Sequence, residues 1–324
     1  MKRQFTFLAC LLCVNALSAQ SAMATLFGIE SCGSGSSDCD AASRFVRGGG
    51  SMPPSYLYSL EASGAGFVNH GVITSSGSAV DTDGLAIDSG GSLFAFEFEQ
   101  SITTTPTAHE VNVVSSRLVT INSSTAEATV IGVDLDREIR GAVFDELDNL
   151  WVVDSRHDEV LRIDTSTGQE VAGSAVSLSR SGSSFDISTI TDLAIRSDGS
   201  VYISEVSRIF ELDLATGVMS NAFSTGNDGF AGIAFEGASV FGFDVLGTDD
   251  IFSYDASMAS SVRSDVLIDF LPTLNAGRGD LASITRVSTP IPEPGTMLLM
   301  TLGAAGFYVT ASRRRFRGCL NSSC

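Results

Sequence analysis

One hydrophobic pattern recurs five times along the chain: Leu26-Phe27-Gly28-Ile29-Glu30, Leu93-Phe94-Ala95-Phe96-Glu97, Leu150-Trp151-Val152-Val153-Asp154, Val201-Tyr202-Ile203-Ser204-Glu205 and Val240-Phe241-Gly242-Phe243-Asp244. Each run reads aliphatic, aromatic, any residue, a mostly apolar position, then an acid. Four of the runs follow a shorter apolar segment: Leu85-Ala86-Ile87-Asp88, Ala142-Val143-Phe144-Asp145, Leu193-Ala194-Ile195-Arg196 and Ile233-Ala234-Phe235-Glu236. The residues between, such as Ser89-Gly90-Gly91 and Ser197-Asp198-Gly199, are those that tight hairpins need. Two antiparallel strands are therefore predicted in each unit. A further pair follows each acid, as in Arg117–Asn122 before Ala126–Val130, or Leu161–Asp164 before Gln169–Val171, with equivalents at Tyr56–Leu60, Ile209–Leu214 and Ile251–Tyr254.

Four strands per unit, at spacings of about 40 to 60 residues, predict the blades of a β-propeller. The first unit lacks its first strand, while Leu281-Ala282-Ser283-Ile284 stands alone near the other end. Joined, they complete one blade and leave no open sheet edge. The fold predicted is all-β, a five-bladed β-propeller over residues 25–288 closed by strands from both termini, with a β-sandwich as the competing architecture. The phrases Leu150-Trp151-Val152-Val153-Asp154-Ser155 and Gly199-Ser200-Val201-Tyr202-Ile203-Ser204-Glu205 resemble those of NHL and gluconolactonase-like propellers.

The two ends break the pattern and read as addresses. Lys2 and Arg3 precede an apolar run, Phe5 to Leu17, and then Ala22-Met23-Ala24, the order of a secretory signal peptide over residues 1–24 with cleavage after Ala24. A short N-terminal core helix is the alternative. At the other end, a proline-rich linker over residues 289–296 leads into an apolar stretch, Met297 to Ala311, and then Arg313-Arg314-Arg315. As a helix over residues 297–312 the stretch is roughly 25 Å long, short for a bilayer core of about 30 Å unless the arginines snorkel. Arginines beyond it belong on the cytoplasmic side with the basic tail 313–324, which leaves the body outside.

This ending, with Pro292-Glu293-Pro294 before a short apolar helix and the cluster Arg313, Arg314 and Arg315, resembles the PEP-CTERM sorting signal of Gram-negative bacteria. The resemblance covers about the last thirty residues. It implies recognition of Pro292, Glu293 and Pro294 by an exosortase and an association with exopolysaccharide and biofilm material, while Ala22-Met23-Ala24 fits the small-x-small pattern read by signal peptidase at the other end. It implies an inner-membrane precursor with its body in the periplasm, then a place at the cell surface or in the extracellular matrix. The chain departs from the family by continuing from Gly318 to Cys324, and an ordinary anchor that is never cut is the alternative.

Composition narrows the body's role. With 44% hydrophobic and 18% charged residues in 324, the chain can bury a full core. Its formal charge is −19, and several of its few basic residues lie in the two end segments. Such a surface repels phosphate backbones, which argues against nucleic acid as a partner. Of six cysteines, the body keeps Cys32 and Cys39, which are expected to pair in an oxidising compartment. Closing so short a loop would contribute roughly 2 to 3 kcal/mol.

Two sets of polar residues are candidates for chemistry. The acids Glu30, Glu97, Asp154, Glu205 and Asp244 end equivalent strands and are a candidate Ca²⁺ set, or else each accepts amide hydrogens from its own following loop. Asp83, Arg140, Asp192, Asp228, Arg278 and Asp280 lie where chain enters the first strands, near the central channel. There they would either bind a polar ligand such as a sugar or uronate, with Arg140 and Arg278 as carboxylate forks, or pair with one another as a solvated rim. The repeated aromatics are assigned to the core. His70, His109 and His157 are isolated, and neither His-Glu-x-x-His nor Gly-x-Ser-x-Gly occurs. His157 follows Asp154 and Arg156 on the expected ligand face. The sequence thus supports a non-enzymatic propeller that binds exopolysaccharide or a protein partner. A Ca²⁺-dependent hydrolase, lactonase or lyase acting on a sugar-derived substrate is the alternative.

Overall fold

The computed structural model describes residues 25–31, 54–63, 65–104, 109–188, 190–225, 229–237, 239–244, 251–255, 257, 265–268 and 278–283. Side chains at 30, 31, 100–104, 109–114, 244, 265–268, 278 and 279 are not described. Residues 1–24, expected to be a signal peptide, Cys32, Cys39, Asp228 and the whole ending from the proline-rich linker onward lie outside the described residues. Among the described residues, no helix is long and apolar enough to cross a membrane.

Five antiparallel sheets carry the repeat. Named from the axis outward, blade 1 comprises Arg278–Ala282, Thr25–Ser31, Ser55–Glu61 and Val68–Val72. Blade 2 comprises Thr82–Ile87, Leu93–Thr104, His109–Ile121 and Glu127–Leu135. Blade 3 comprises Ile139–Phe144, Leu150–Asp154, Glu159–Asp164 and Gln169–Glu170, with Val176–Ser177 also pairing with its third strand. Blade 4 comprises Leu193–Ile195, Val201–Glu205, Arg208–Asp213 and Val218–Ser224. Blade 5 comprises Phe230–Glu236, Ser239–Asp244, Ile251–Asp255 and Asp265–Ile268. Each inner strand touches the inner strands of the blades before and after it, so the ring closes.

Closure occurs where the sequence places it. Thr25–Ser31 lies between Ser55–Glu61 and the late strand Arg278–Ala282, with Phe27 opposite Ala282 and Glu30 opposite Gly279. Strands from both termini therefore complete blade 1. Two short hairpins were not evident from the pattern: Thr74–Ser75 with Ser78–Ala79, and Ser179–Arg180 with Ser183–Ser184. They add parallel strands to the outer edges of blades 2 and 4. Each is too short and polar to have a readable period.

The core is divided into five clusters, one between each pair of successive blades. The inner strand Thr82–Ile87 is buried at every position, because it has neighbours on both faces and the axis in front. The outer strand Val218–Ser224 alternates loosely, with only Met219 and Phe223 buried. The repeated aromatics belong to this core: Phe94 packs on Phe144 of blade 3, and Tyr202 on Phe235 of blade 5, at ring-centre distances of 5.2 and 4.9 Å. Each fully buried side chain of this size contributes about 1.5 to 3 kcal/mol.

Local strain is found at the turn after Val201–Glu205. Val206 has φ of 49°, a left-handed conformation that crowds a β-branched side chain. The position is held because its N–H bonds Ile190 O at 3.2 Å and its carbonyl accepts from Phe230 N at 2.8 Å. Val206→Asn keeps both backbone bonds and tolerates this conformation better. It is expected to stabilise the fold by about 1 kcal/mol, read as a rise of roughly 2–4 °C in melting temperature.

Candidate functional site

The inner strands begin at one face of the ring, and the acids that end the second strands lie on the same face. Counted back two residues from the partner of each repeated aromatic, one position is Asp280, Gly84, Gly141, Asp192 and Gly232 in blades 1 to 5. Two aspartates and three glycines thus surround the axis.

Both aspartates are fully buried. Asp192 accepts from Leu193 N at 2.6 Å and, through its other oxygen, from Ile233 N of blade 5 at 2.7 Å. Asp280 repeats the arrangement, accepting from Leu281 N at 2.7 Å and from Leu85 N of blade 2 at 2.5 Å. Each carboxyl therefore ties its own blade to the next, and the two also hydrogen-bond each other. Burial pushes both well above the ordinary carboxylate range; for Asp280 the neighbouring Asp192 and Asp83 charges add to it.

Beside this pair, Arg140 is 2% exposed. Its Nη1 lies 3.3 Å from Asp83 Oδ2, its Nε donates to Glu138 Oε1 at 2.9 Å, and its guanidinium lies 4.9 Å from the ring centre of Phe98. Asp83 also accepts from Gly84 N at 3.2 Å. The sequence-derived cluster is thus brought together for Asp83, Arg140, Asp192 and Asp280. Arg278 begins the strand that carries Asp280, with its side chain not described, and Asp228 lies outside the described residues. Arg140 is already met by two carboxylates, so an incoming uronate would have to displace one of them.

Glu97, Asp154 and Glu205, the acids of this register whose side chains are described, meet different neighbours. Glu97 takes both Nε and Nη2 of Arg117 on the adjacent strand, at 3.1 and 2.8 Å. Asp154 accepts from Glu138 N and Arg156 N, both at 3.0 Å, from Arg137 at 3.0 Å, and lies 2.6 Å from His157 Nδ1. Glu205 is raised by burial, against the pull of Arg208 and Arg180. Glu30 and Asp244 share the register, and their side chains are not described. Among the described residues, no group of three or more His, Cys, Asp or Glu is arranged to hold a metal ion.

Arg137 was missed by sequence reasoning. It binds Asp154, Glu159 and Glu170 at 3.0, 2.8 and 2.7 Å. Burial alone would lower its pKa, yet the hydrogen bonds from these carboxylates raise it. The signal was the run Asp136-Arg137-Glu138-Ile139-Arg140, whose charges alternate directly before an inner strand. His157 is half-exposed, and His70 lies 2.8 Å from Ser59 Oγ with its pKa lowered by burial.

Behind the aspartates the axis turns apolar. Ala86, Val143, Ala194, Ala234 and Ala282, one from each blade, line a space of about 10 Å³, enough for a single water. Small side chains at this one position let five strands approach the axis.

Residues 290–315 match the PEP-CTERM protein-sorting motif. No curated protein matches the chain by sequence. Among solved structures, glutaminyl cyclase of Myxococcus xanthus is similar at 15% identity over 62% of this chain and 77% of that one, with a TM-score of 0.38. A chain of a nidogen/laminin complex is similar at 12% identity over 81% and 99%, with a TM-score of 0.43. A protein of unknown function from Bacteroides thetaiotaomicron is similar at 14% identity over 70% and 59%, with a TM-score of 0.45. The sorting motif implies an exported, membrane-anchored precursor processed by exosortase. The chain is a five-bladed β-propeller body carrying a PEP-CTERM protein-sorting motif.

Proposed function

We propose that this protein is an exosortase-sorted surface or matrix protein whose propeller binds exopolysaccharide or a protein partner without catalysis. The PEP-CTERM motif at residues 290–315 carries this reading. Two features of the body support it. The axis is lined by small apolar side chains, and the buried charges at its mouth are engaged with one another or with backbone amides. A reacting centre needs groups free to meet substrate. The Ca²⁺-dependent hydrolase or lyase reading rests on the acid register, in which Glu97 and Asp154 already hold arginines.

In this reading, signal peptidase releases Thr25 as the first residue and exosortase acts at Pro292-Glu293-Pro294. Cys32 and Cys39 form a disulfide in the exported body. The test is intact mass and fractionation from the native host, with and without its exosortase. The expected released form begins at Thr25, lacks the C-terminal stretch only when exosortase is present, and is lighter by two hydrogens than its reduced form. Retention of that stretch in both strains would leave a plain anchored propeller and remove the link to exopolysaccharide.

A further inference from the structure

We propose that one buried water molecule is a fixed part of the propeller axis, held by the backbone amide of Ala142. The inner strand of each blade pairs along one edge with its second strand and turns the other edge to the axis. In an antiparallel ladder, successive amides alternate between the two edges. Asp145 N donates to Asn149 O across the end of blade 3's inner hairpin, so three residues back Ala142 turns its amide to the axis. The equivalent residues are Leu281, Leu85, Leu193 and Ile233 in blades 1, 2, 4 and 5.

Two aspartates serve this ring of five amides. Asp280 takes Leu281 N and Leu85 N, and Asp192 takes Leu193 N and Ile233 N, so each serves its own blade and the next. That leaves Ala142 N of blade 3, which meets no acceptor among the described residues although Ala142 is 2% exposed. A third aspartate cannot fill the gap. A Cβ on Gly141 would lie 2.5 Å from Asp192 Cα, and one on Gly232 would lie 2.7 Å from Asp280 Cα, so each aspartate requires a glycine in the blade before it. If no two neighbouring blades can both carry the acid, a ring of five holds at most two, and two carboxyls serve four amides. The odd blade needs another acceptor.

Buried amides are almost always paired, and ordered water serves where protein offers nothing. The space for it adjoins this amide: the 10 Å³ behind the aspartates is bordered by Ala142, Leu193, Ile233 and Leu281. A volume of that size holds one water, provided that at least two polar partners surround it. They are present, because the carbonyl of each of these residues lies on the same strand edge as its amide. The axis therefore offers a donor and several acceptors together, which selects water over an ion. An anion would face those carbonyls and the charge of Asp83, which already acts on the aspartate pair. A cation would face the Ala142 N–H. Water accepts from Ala142 N and donates to the carbonyls.

The test is a crystal structure of the full chain, grown from detergent at a resolution that shows ordered water, beside one of Ala142→Pro, which removes the amide and keeps the side chain small. The native protein is expected to hold a water about 2.9 Å from Ala142 N. The variant should lose that water while Asp192 and Asp280 keep their four amides. A protein oxygen bonded to Ala142 N in the native structure overturns the proposal. A dry axis at that amide does so too, as does an ion or a ligand atom in the water's place. If the variant does not fold, the native structure decides alone.

Discussion

Gly141→Ala should cost the fold about 3 kcal/mol or more. A Cβ at Gly141 would lie 2.5 Å from Asp192 Cα and 2.8 Å from Leu193 N, both backbone atoms of the next blade. Backbone cannot rotate aside as a side chain does, so blades 3 and 4 would have to separate. That separation would pull Asp192 from the axis and loosen its bond to Ile233 N. Overpacking a core by one methyl typically costs 1–3 kcal/mol, and a clash with backbone belongs at the top of that range. At roughly 2–4 °C per kcal/mol for a body of this size, the melting temperature should fall by about 6–12 °C. Gly232→Ala is expected to act alike, since its Cβ would meet Asp280 Cα and Leu281 N at 2.7 Å. Gly91→Ala is a control for bulk, because nothing lies within 4 Å of its Cβ, though its φ of 86° carries a small cost of its own. If Gly141→Ala melts no lower than Gly91→Ala, the close approach of inner strands is not what holds the ring.

The second large effect is a loss of stability as pH rises. Burial raises Asp192 and Asp280 above their unfolded values, so the folded protein holds protons that the unfolded chain gives up near pH 3.9. The stabilisation is fully present below that pH and is lost as pH climbs through the folded values. Each proton held in excess gives a slope of about 1.4 kcal/mol per pH unit. Among the described residues, Asp83 of blade 2 acts on the pair and is itself met by Arg140, which also holds Glu138; blade 5 presents the amide of Ile233. Denaturant unfolding across the window from pH 4 upward should show the native protein weakening steadily. Asp280→Asn should show a shallower slope, because an amide has no proton to give up as pH rises. Asp198, which Arg196 lowers by hydrogen bonding, has the opposite sign and opposes unfolding only above acidic pH. A native protein whose stability rises from pH 4 to neutrality would mean that the pair is ionised in the fold.

The pattern of apolar residues was sufficient for the propeller because it is imposed by local geometry. A strand shows alternate residues to opposite faces, so five copies of Leu-Trp-Val-Val-Asp-like runs have five equivalent surroundings. The missing first strand and the orphan Leu281-Ala282 announced closure before any coordinates, since a propeller leaves no blade incomplete. Asp83, Arg140, Asp192 and Asp280 were also legible as a group, through their shared place ahead of inner strands. Their partners were not. Whether Arg140 would face a ligand or Glu138 depends on side-chain direction across two blades, which no spacing encodes.

The sequence alone therefore determined the repeat, the blade count, the closure from both ends and the sorting motif, all of which follow from short-range periodicity or from a contiguous run. Tertiary structure decided the rest. It placed Asp192 within hydrogen-bonding reach of Asp280 although 88 residues separate them, gave Glu97 and Asp154 to arginines, and carried one hairpin beyond its blade. The physical reason is that a ring brings equivalent positions of distant repeats to one axis, where burial changes the charge that each acid carries.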